Sequence, residues 1–191
     1  MRTFVAINPS QETIRCLEQV LAELLELQIC GLRCVRPNSA HLTLKFLGNI
    51  NPGRTTIISE ALYRATKTIG PIKLHLTGLG VFPDLNAPKV IWIGIDGSTD
   101  MLGELRANVE DAMADLGFPK DQRRFKPHLT LARVRRKLDP SQMVRLMGAL
   151  NTISPTYPTN WQVNSISLTH SKLTPDRPIY HNLITVPLER N

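Results

Sequence analysis

The tetrapeptide His-Leu-Thr-Leu occurs twice in this chain of 191 residues, at 41–44 and again at 128–131, with the two copies 87 positions apart. In a β-strand, residues i and i+2 share one face and the intervening residues point to the other. Each copy therefore predicts a strand that presents one histidine and one threonine together and buries two leucines behind them. Two such strands facing each other would collect two imidazoles and two hydroxyls in one site.

The order of predicted elements also repeats when the sequence is shifted by 87 positions. Strands are predicted at 3–7 and 90–94, helices after Ser10 and Ser98, helices opening at Pro52 and Pro140, and strands at 72–81 and 161–169. This repetition predicts two like α+β lobes, packed about a pseudo-twofold axis with the two repeated strands across a central groove. We expect one domain of residues 1–191, with structural half-repeats of about 1–87 and 88–191.

Helical spacing identifies the faces that these helices are expected to bury. The first helix carries a stripe of Ile14, Leu17, Leu21 and Leu25, and the helix after Pro140 carries Val144, Met147 and Leu150. A third His-x-Thr triplet, at 75–77, has no counterpart in the other half and precedes Gly78 in place of an apolar residue. We interpret His75, like His170 and His181, as structural.

Composition and charge narrow the class of protein. The net charge is +7, and residues 123–137 hold seven basic side chains and no acidic one around the second tetrapeptide. Such a surface favours a polyanionic partner. No apolar run approaches 18 residues, which argues against a membrane span, and the N-terminus reads as a strand and not as a signal peptide. Three cysteines without metal-type spacing suggest reduced thiols in a cytoplasmic protein.

The paired residues suit one chemistry best. Two histidines can hold one neutral and one protonated imidazole near neutral pH, so that one accepts a proton while the other donates one. Hydroxyls and basic side chains beside them can donate hydrogen bonds to phosphoryl oxygens. Neither tetrapeptide has a carboxylate nearby for a metal site, and no G-x-S-x-G, Walker A or G-x-G-x-x-G motif is present. These observations favour cleavage at phosphorus without a metal or a cofactor.

With these motifs in place, the chain resembles the 2H phosphoesterase superfamily, which has two H-x-T-x motifs, and in particular the RNA 2′,3′-cyclic phosphodiesterases, historically called 2′-5′ RNA ligases. The resemblance covers nearly the whole chain. It rests on the stretches at 2–7, 41–48, 78–83 and 125–133. It implies a bilobal α+β fold, with an antiparallel sheet and helices in each lobe, and a site between the lobes.

The resemblance also implies roles for individual residues. His41 would be the proton donor, His128 the proton acceptor, and Thr43 and Thr130 would bind the phosphate. Arg133 matches a phosphate-binding position of the family, although strict alternation along the strand places it on the leucine face unless a β-bulge re-aims it. Lys45 and Phe46 are candidates for nucleotide contact, and Phe46 is expected in the core.

The expected reaction is metal-independent opening of an RNA 2′,3′-cyclic phosphate to a 2′-phosphate, with no cofactor. The expected partner is RNA with such an end, tRNA fragments among them, and the expected state is a monomer away from membranes. Two alternatives stay open at this point. The same groups would serve 2′-5′ ligation of tRNA halves, and the groove could bind RNA ends or nucleotides without chemistry.

Overall fold

We describe a computed structural model of the chain over residues 1–155, 160–174 and 178–189. Nine strands and four helices lie in these ranges. In chain order they are β1 (Arg2–Ile7), α1 (Gln11–Glu26), β2 (Leu32–Cys34), β3 (Leu42–Asn49), α2 (Thr55–Thr66), β4 (Ile72–Phe82), β5 (Val90–Gly97), α3 (Thr99–Ala114), β6 (His128–Val134), α4 (Pro140–Thr152), β7 (Trp161–Val163), β8 (Ser165–Leu173) and β9 (Pro178–Pro187). The predicted strands and helices are found in the predicted order, but β2 and β9 were not predicted, and the single strand predicted at 161–169 is two strands, β7 and β8.

The strands form two antiparallel sheets. The first sheet has the order β3-β1-β8-β9, and the second has the order β2-β6-β5-β4-β7. Helices α2 and α3 pack together, with α2 against β9 and α3 against β3, whereas α4 packs against β4. The α+β fold with two antiparallel lobes is therefore confirmed. No helix in the described ranges has the length and apolar character needed to span a membrane.

The two lobes do not coincide with the two halves of the sequence, because two strands are exchanged in each direction. The first sheet combines β1 and β3 with β8 and β9 from the second half, and the second sheet combines β5, β6 and β7 with β2 and β4 from the first half. The matching orders β3-β1-β8 and β6-β5-β4 preserve the pseudo-symmetry. The half-repeat boundaries near 87 stay a prediction.

The helix faces were predicted less well than the helix positions. Ser10 caps α1 by accepting a hydrogen bond from the Thr13 amide, and Ile14, Leu17 and Leu21 are buried as expected, but Leu25 is 60% exposed. Leu24 is buried in its place. At 3.6 residues per turn, a second consecutive step of four residues carries a side chain past the buried face.

In α4 the predicted face was wrong except for Leu150, which packs against the core. Val144 and Met147 are exposed, and the buried face consists of Gln142, Leu146 and Ala149. At the helix start, Asp139 and Gln142 form a reciprocal capping box. Gln142 is nevertheless buried, and the residues four and seven positions later lie on the same face of the helix.

Candidate active site

The two tetrapeptides lie on strands that occupy matching places in the two sheets. β3 pairs with β1, and β6 pairs with β5. The four leucines of the tetrapeptides are at most 3% exposed, while His41, Thr43, His128 and Thr130 are half-buried. β3 and β6 contact each other although they belong to different sheets. The predicted alternation is confirmed, and the strands that carry the two motifs are brought together.

A β-bulge interrupts both strands at the same motif position. In the first sheet Ala6 faces Thr43 and Val5 faces Lys45, so that Leu44 is the extra residue. In the second sheet Trp92 faces Thr130 and Ile91 faces Ala132, so that Leu131 is the extra residue. A bulge reverses the inward and outward alternation of the residues that follow it.

This reversal decides where three candidate residues lie. Arg133 is exposed on the same face as His128 and Thr130, as expected for a bulged strand. Phe46 is 60% exposed at the matching position of β3, so the expectation of a core phenylalanine was wrong. Lys45 is 4% exposed, and its placement as a nucleotide contact was therefore wrong as well.

Lys45 instead belongs to a buried ionic cluster. Its Nζ lies 2.5 Å from the Glu110 Oε2 atom on α3 and 2.5 Å from the Pro119 carbonyl oxygen. The Asp121 amide donates to the same carboxylate oxygen, and Arg106 lies 3.5 Å from Oε1. The cluster therefore ties the strand of the first motif to the loop that leads to His128.

Both histidines are held in the same way by the backbone. The Nδ1 atom of His41 lies 2.9 Å from the Ser39 carbonyl oxygen, and Nδ1 of His128 lies 2.6 Å from the Lys126 carbonyl oxygen. Because a carbonyl oxygen only accepts, Nδ1 is the protonated nitrogen in each ring. Nε2 is left to accept or donate a proton, and it is the atom available for chemistry.

Aromatic side chains fix the ring of His41. Phe4 stacks on it with ring centroids 4.5 Å apart and an interplanar angle of 25°. Tyr180 from β9 meets it edge-on at 4.8 Å. Sequence reasoning missed these partners, since Phe4 and Tyr180 lie far apart in the chain and far from the motif.

A second aromatic group holds His128. Phe82 and Trp92 meet its ring at 5.0 Å and 6.1 Å, and the Lys126 ammonium lies 4.2 Å from the Trp92 ring centroid. Gly80 makes room for Trp92, because a Cβ atom at this glycine would lie 2.1 Å from the indole. Each histidine therefore has its own aromatic support in its own sheet.

The environment lowers the pKa of both histidines. Burial is the main cause for His41, followed by repulsion from His128 and Arg133, and the hydrogen bond to the Ser39 carbonyl opposes both. Burial also lowers the pKa of His128, with a contribution from the nearby Lys126 ammonium, against the opposing bond to the Lys126 carbonyl. Arg133 also acts on Tyr180, where it opposes the rise in pKa caused by burial. His41, His128 and Arg133 thus share one electrostatic environment.

The remaining histidines lie elsewhere. His75 is exposed on β4 opposite Asp96, near the other end of that strand from Phe82. His170 and His181 face each other across β8 and β9, with ring centroids 6.3 Å apart. Within the described ranges, no group of three His, Cys, Asp or Glu residues is placed to hold a metal ion.

The sequence matches a known family model twice. The model for LigT-like phosphoesterases matches residues 7–92 and 93–180. Several curated relatives carry the name RNA 2′,3′-cyclic phosphodiesterase. The protein from Archaeoglobus fulgidus is 33% identical, covering 96% of this chain and 98% of its own, and that from Aquifex aeolicus is 32% identical, covering 94% and 93%.

Solved structures agree with this relationship. A protein of Thermus thermophilus superposes with a TM-score of 0.80 at 25% identity, covering 100% of this chain and 98% of its own. Escherichia coli LigT in its apo form superposes with a TM-score of 0.78 at 22% identity, covering 97% and 96%. Because the family model and the relatives each span most of the sequence, the chain belongs to the LigT-like phosphoesterase family.

Proposed function

We propose that this protein is an RNA 2′,3′-cyclic phosphodiesterase that opens the cyclic phosphate to a 2′-phosphate by paired-histidine catalysis. One observation carries the proposal. His41 and His128 are held by equivalent backbone hydrogen bonds on touching strands, so each ring has Nε2 available for proton transfer. The curated relatives with this activity in their names support the substrate class.

The reaction would proceed by in-line displacement at phosphorus. The neutral Nε2 of His128 accepts a proton from water as the water oxygen bonds to phosphorus. The bond from phosphorus to the ribose O3′ breaks on the opposite side, and O3′ takes the proton from the Nε2 of His41. The products are a 2′-phosphate and a free 3′-hydroxyl, and the two histidines end with their protonation states exchanged.

The other site residues would bind the phosphate. The hydroxyls of Thr43 and Thr130 lie on the same faces as the histidines, and the bulge brings Arg133 to that face. These donors would stabilise the negative charge that develops on the non-bridging oxygens. The positive charge of Arg133 also favours binding of the phosphodiester anion.

The natural substrates would be RNA ends, with tRNA fragments that end in a cyclic phosphate as one candidate class. The basic stretch at 123–137 supports a polyanionic substrate longer than one nucleotide. Both histidines come from one chain, which supports a monomer as the working unit. We place the activity in the cytoplasm, where RNA is present and the three cysteines would stay reduced.

The direct test is product analysis with a synthetic RNA that ends in a 2′,3′-cyclic phosphate. We expect conversion to the 2′-phosphate, and the rate should be unchanged by EDTA because the proposed proton transfers use only side chains. Chromatography against authentic 2′- and 3′-phosphate standards identifies the product. Absence of turnover, formation of the 3′-phosphate, or loss of activity in EDTA would each refute the proposed reaction.

The pH dependence follows from the lowered pKa values. Activity needs His128 neutral and His41 protonated, so the rate rises as pH passes the pKa of His128 and falls as it passes that of His41. Both values lie below the ordinary value of about 6.5 in the free protein. We therefore expect the optimum of kcat/KM on the acidic side of pH 6.5.

Substrate binding should move the alkaline limb of the pH–rate profile. A bound phosphodiester anion stabilises the imidazolium of His41, so the alkaline limb of kcat should lie at higher pH than that of kcat/KM. In Lys126→Met, loss of the nearby cation should move the acidic limb upward, and His75→Ala should leave both limbs in place. An optimum of kcat/KM above pH 7 would contradict this assignment.

A further inference from the structure

A cavity of about 240 Å³ opens beside His41, and its lining does not extend to His128. It lies between the start of α1, the turn before β3 and the strands β8 and β9. Its polar walls come from Asn8, Asn38, Thr169, Tyr180 and Asn182. It therefore belongs to one end of an otherwise pseudo-symmetric site.

The lining of this cavity is polar but contains no Asp, Glu, Lys or Arg among the described residues. The protein has a net charge of +7, yet none of the Lys and Arg side chains that the structure describes lines this cavity. The wall is therefore unsuited to a phosphate group. Three asparagine amides offer both donors and acceptors, and Ile14 and Phe4 add apolar surface. This combination matches the flat, uncharged and hydrogen-bonding edge of a nucleobase.

Two of the amides are already oriented by neighbouring hydroxyls. The Nδ2 atom of Asn8 donates to the Ser167 hydroxyl at 3.2 Å, which leaves its Oδ1 atom for a ligand. The Thr169 hydroxyl donates to Oδ1 of Asn182 at 3.0 Å, which leaves the Nδ2 donors of Asn182 for a ligand. Ser167 and Thr169 are themselves buried, so these orientations are fixed before a ligand arrives.

The reaction geometry says which part of the substrate lies here. The leaving O3′ stays on the ribose of the terminal nucleoside, whereas the attacking water approaches from the opposite side of phosphorus. The histidine that protonates O3′ is therefore next to the nucleoside. With His41 as the proton donor, the cavity beside His41 is on the nucleoside side of the phosphate.

We propose that this cavity binds the base of the terminal nucleoside, with a preference for adenine, through Asn8, Asn38 and Asn182. Amide side chains pair with adenine, whereas guanine is read mainly by Arg or Lys and cytosine by carboxylates, which the lining lacks. The inference rests on the proposed function for the position of the phosphate, but the base contact has its own readout.

The test compares short RNAs that end in cyclic phosphate and differ only in the last base, together with a base-free ribose 2′,3′-cyclic phosphate. Wild type should favour adenine over guanine and cytosine in kcat/KM. Asn182→Ala and Asn8→Ala should each reduce that preference about five- to tenfold, the size expected for one lost hydrogen bond. Both variants should hydrolyse the base-free compound at the wild-type rate, which also shows that they are folded.

Two control variants sharpen the comparison. Asn86→Ala, in an exposed loop, should change nothing. Phe46 on β3 is an exposed aromatic residue outside the cavity that could also contact a base. Phe46→Ala should leave the adenine preference intact. Equal rates for all bases in wild type, or a preference lost in Phe46→Ala but kept in Asn182→Ala, would overturn the proposal while the hydrolase function stands.

A measurement of nucleotide binding tests the base site independently of the proposed hydrolase function. Calorimetry with adenosine and guanosine 2′-phosphates needs no turnover. Tighter binding of adenosine 2′-phosphate, reduced in Asn182→Ala, would support the base site even for a protein that hydrolyses none of the RNAs. Equal binding of the two nucleotides by wild type would refute it.

Discussion

Replacing His41 or His128 by alanine is expected to lower kcat for cyclic phosphate opening by about 10²–10⁴-fold each, the usual contribution of one general acid or base. The double variant should lose less than the product of the two single losses, because both groups act in one displacement. His75→Ala is the matched control, since it removes a histidine from the same His-Leu-Thr sequence at an exposed position. Its kcat should equal that of wild type.

A change of leaving group distinguishes the two roles. In bis(4-nitrophenyl) phosphate the departing phenolate is stable without a proton, so a general acid contributes little. With this diester we expect His41→Ala to recover most of the wild-type rate and His128→Ala to stay slow. The reverse pattern would exchange the two assignments, and equal losses on both substrates would contradict a division into acid and base.

The sequence predicted that each histidine shares a strand face with its threonine, because this arrangement depends only on local alternation within a strand. The orientations of Arg133 and Phe46 depend also on how the strands pair. Both are brought to the exposed face by bulges at Leu131 and Leu44, which are visible only in the register against β5 and β1. The residue at each bulge is a leucine, a residue type that does not indicate a bulge in the sequence.

Other features escaped prediction because they arise from long-range packing. Tyr180 reaches His41 from the last strand, and Trp92 reaches His128 across Gly80. The exchange of strands between the sheets, which involves β2, β4, β8 and β9, is likewise a matter of topology. Local spacing could place each element along the chain, but it could not say which sheet the element joins.

Lys45→Met is expected to be strongly destabilising. Lys45 and Glu110 have side chains 2% and 8% exposed, so the substitution leaves a carboxylate buried with Arg106 as its nearest cation at 3.5 Å. Breaking one side of a buried ion pair typically costs about 3–5 kcal/mol. Urea denaturation of the variant should show a free energy of unfolding lower by that amount.

The exposed ion pair of Lys120 and Asp111 provides the matched control. Their side chains are 52% and 65% exposed, so solvent screens the interaction, and Lys120→Met should leave the urea midpoint unchanged. Equal midpoints for Lys45→Met and Lys120→Met would show that the buried cluster contributes nothing to stability.

A second substitution, at Glu110, shows whether the loss of stability in Lys45→Met comes from the unpaired Glu110 carboxylate. In Lys45→Met with Glu110→Gln, the side chain stays long enough to accept the hydrogen bond from the Asp121 amide, but it carries no charge. We therefore expect the double variant to regain a large part of the lost stability, because the main cost of the single change is an uncompensated buried carboxylate. Activity should recover with it, since the Glu110 cluster also holds the loop that positions His128. A double variant as unstable as Lys45→Met would instead indicate that packing of the Lys45 side chain, and not charge, stabilises this junction.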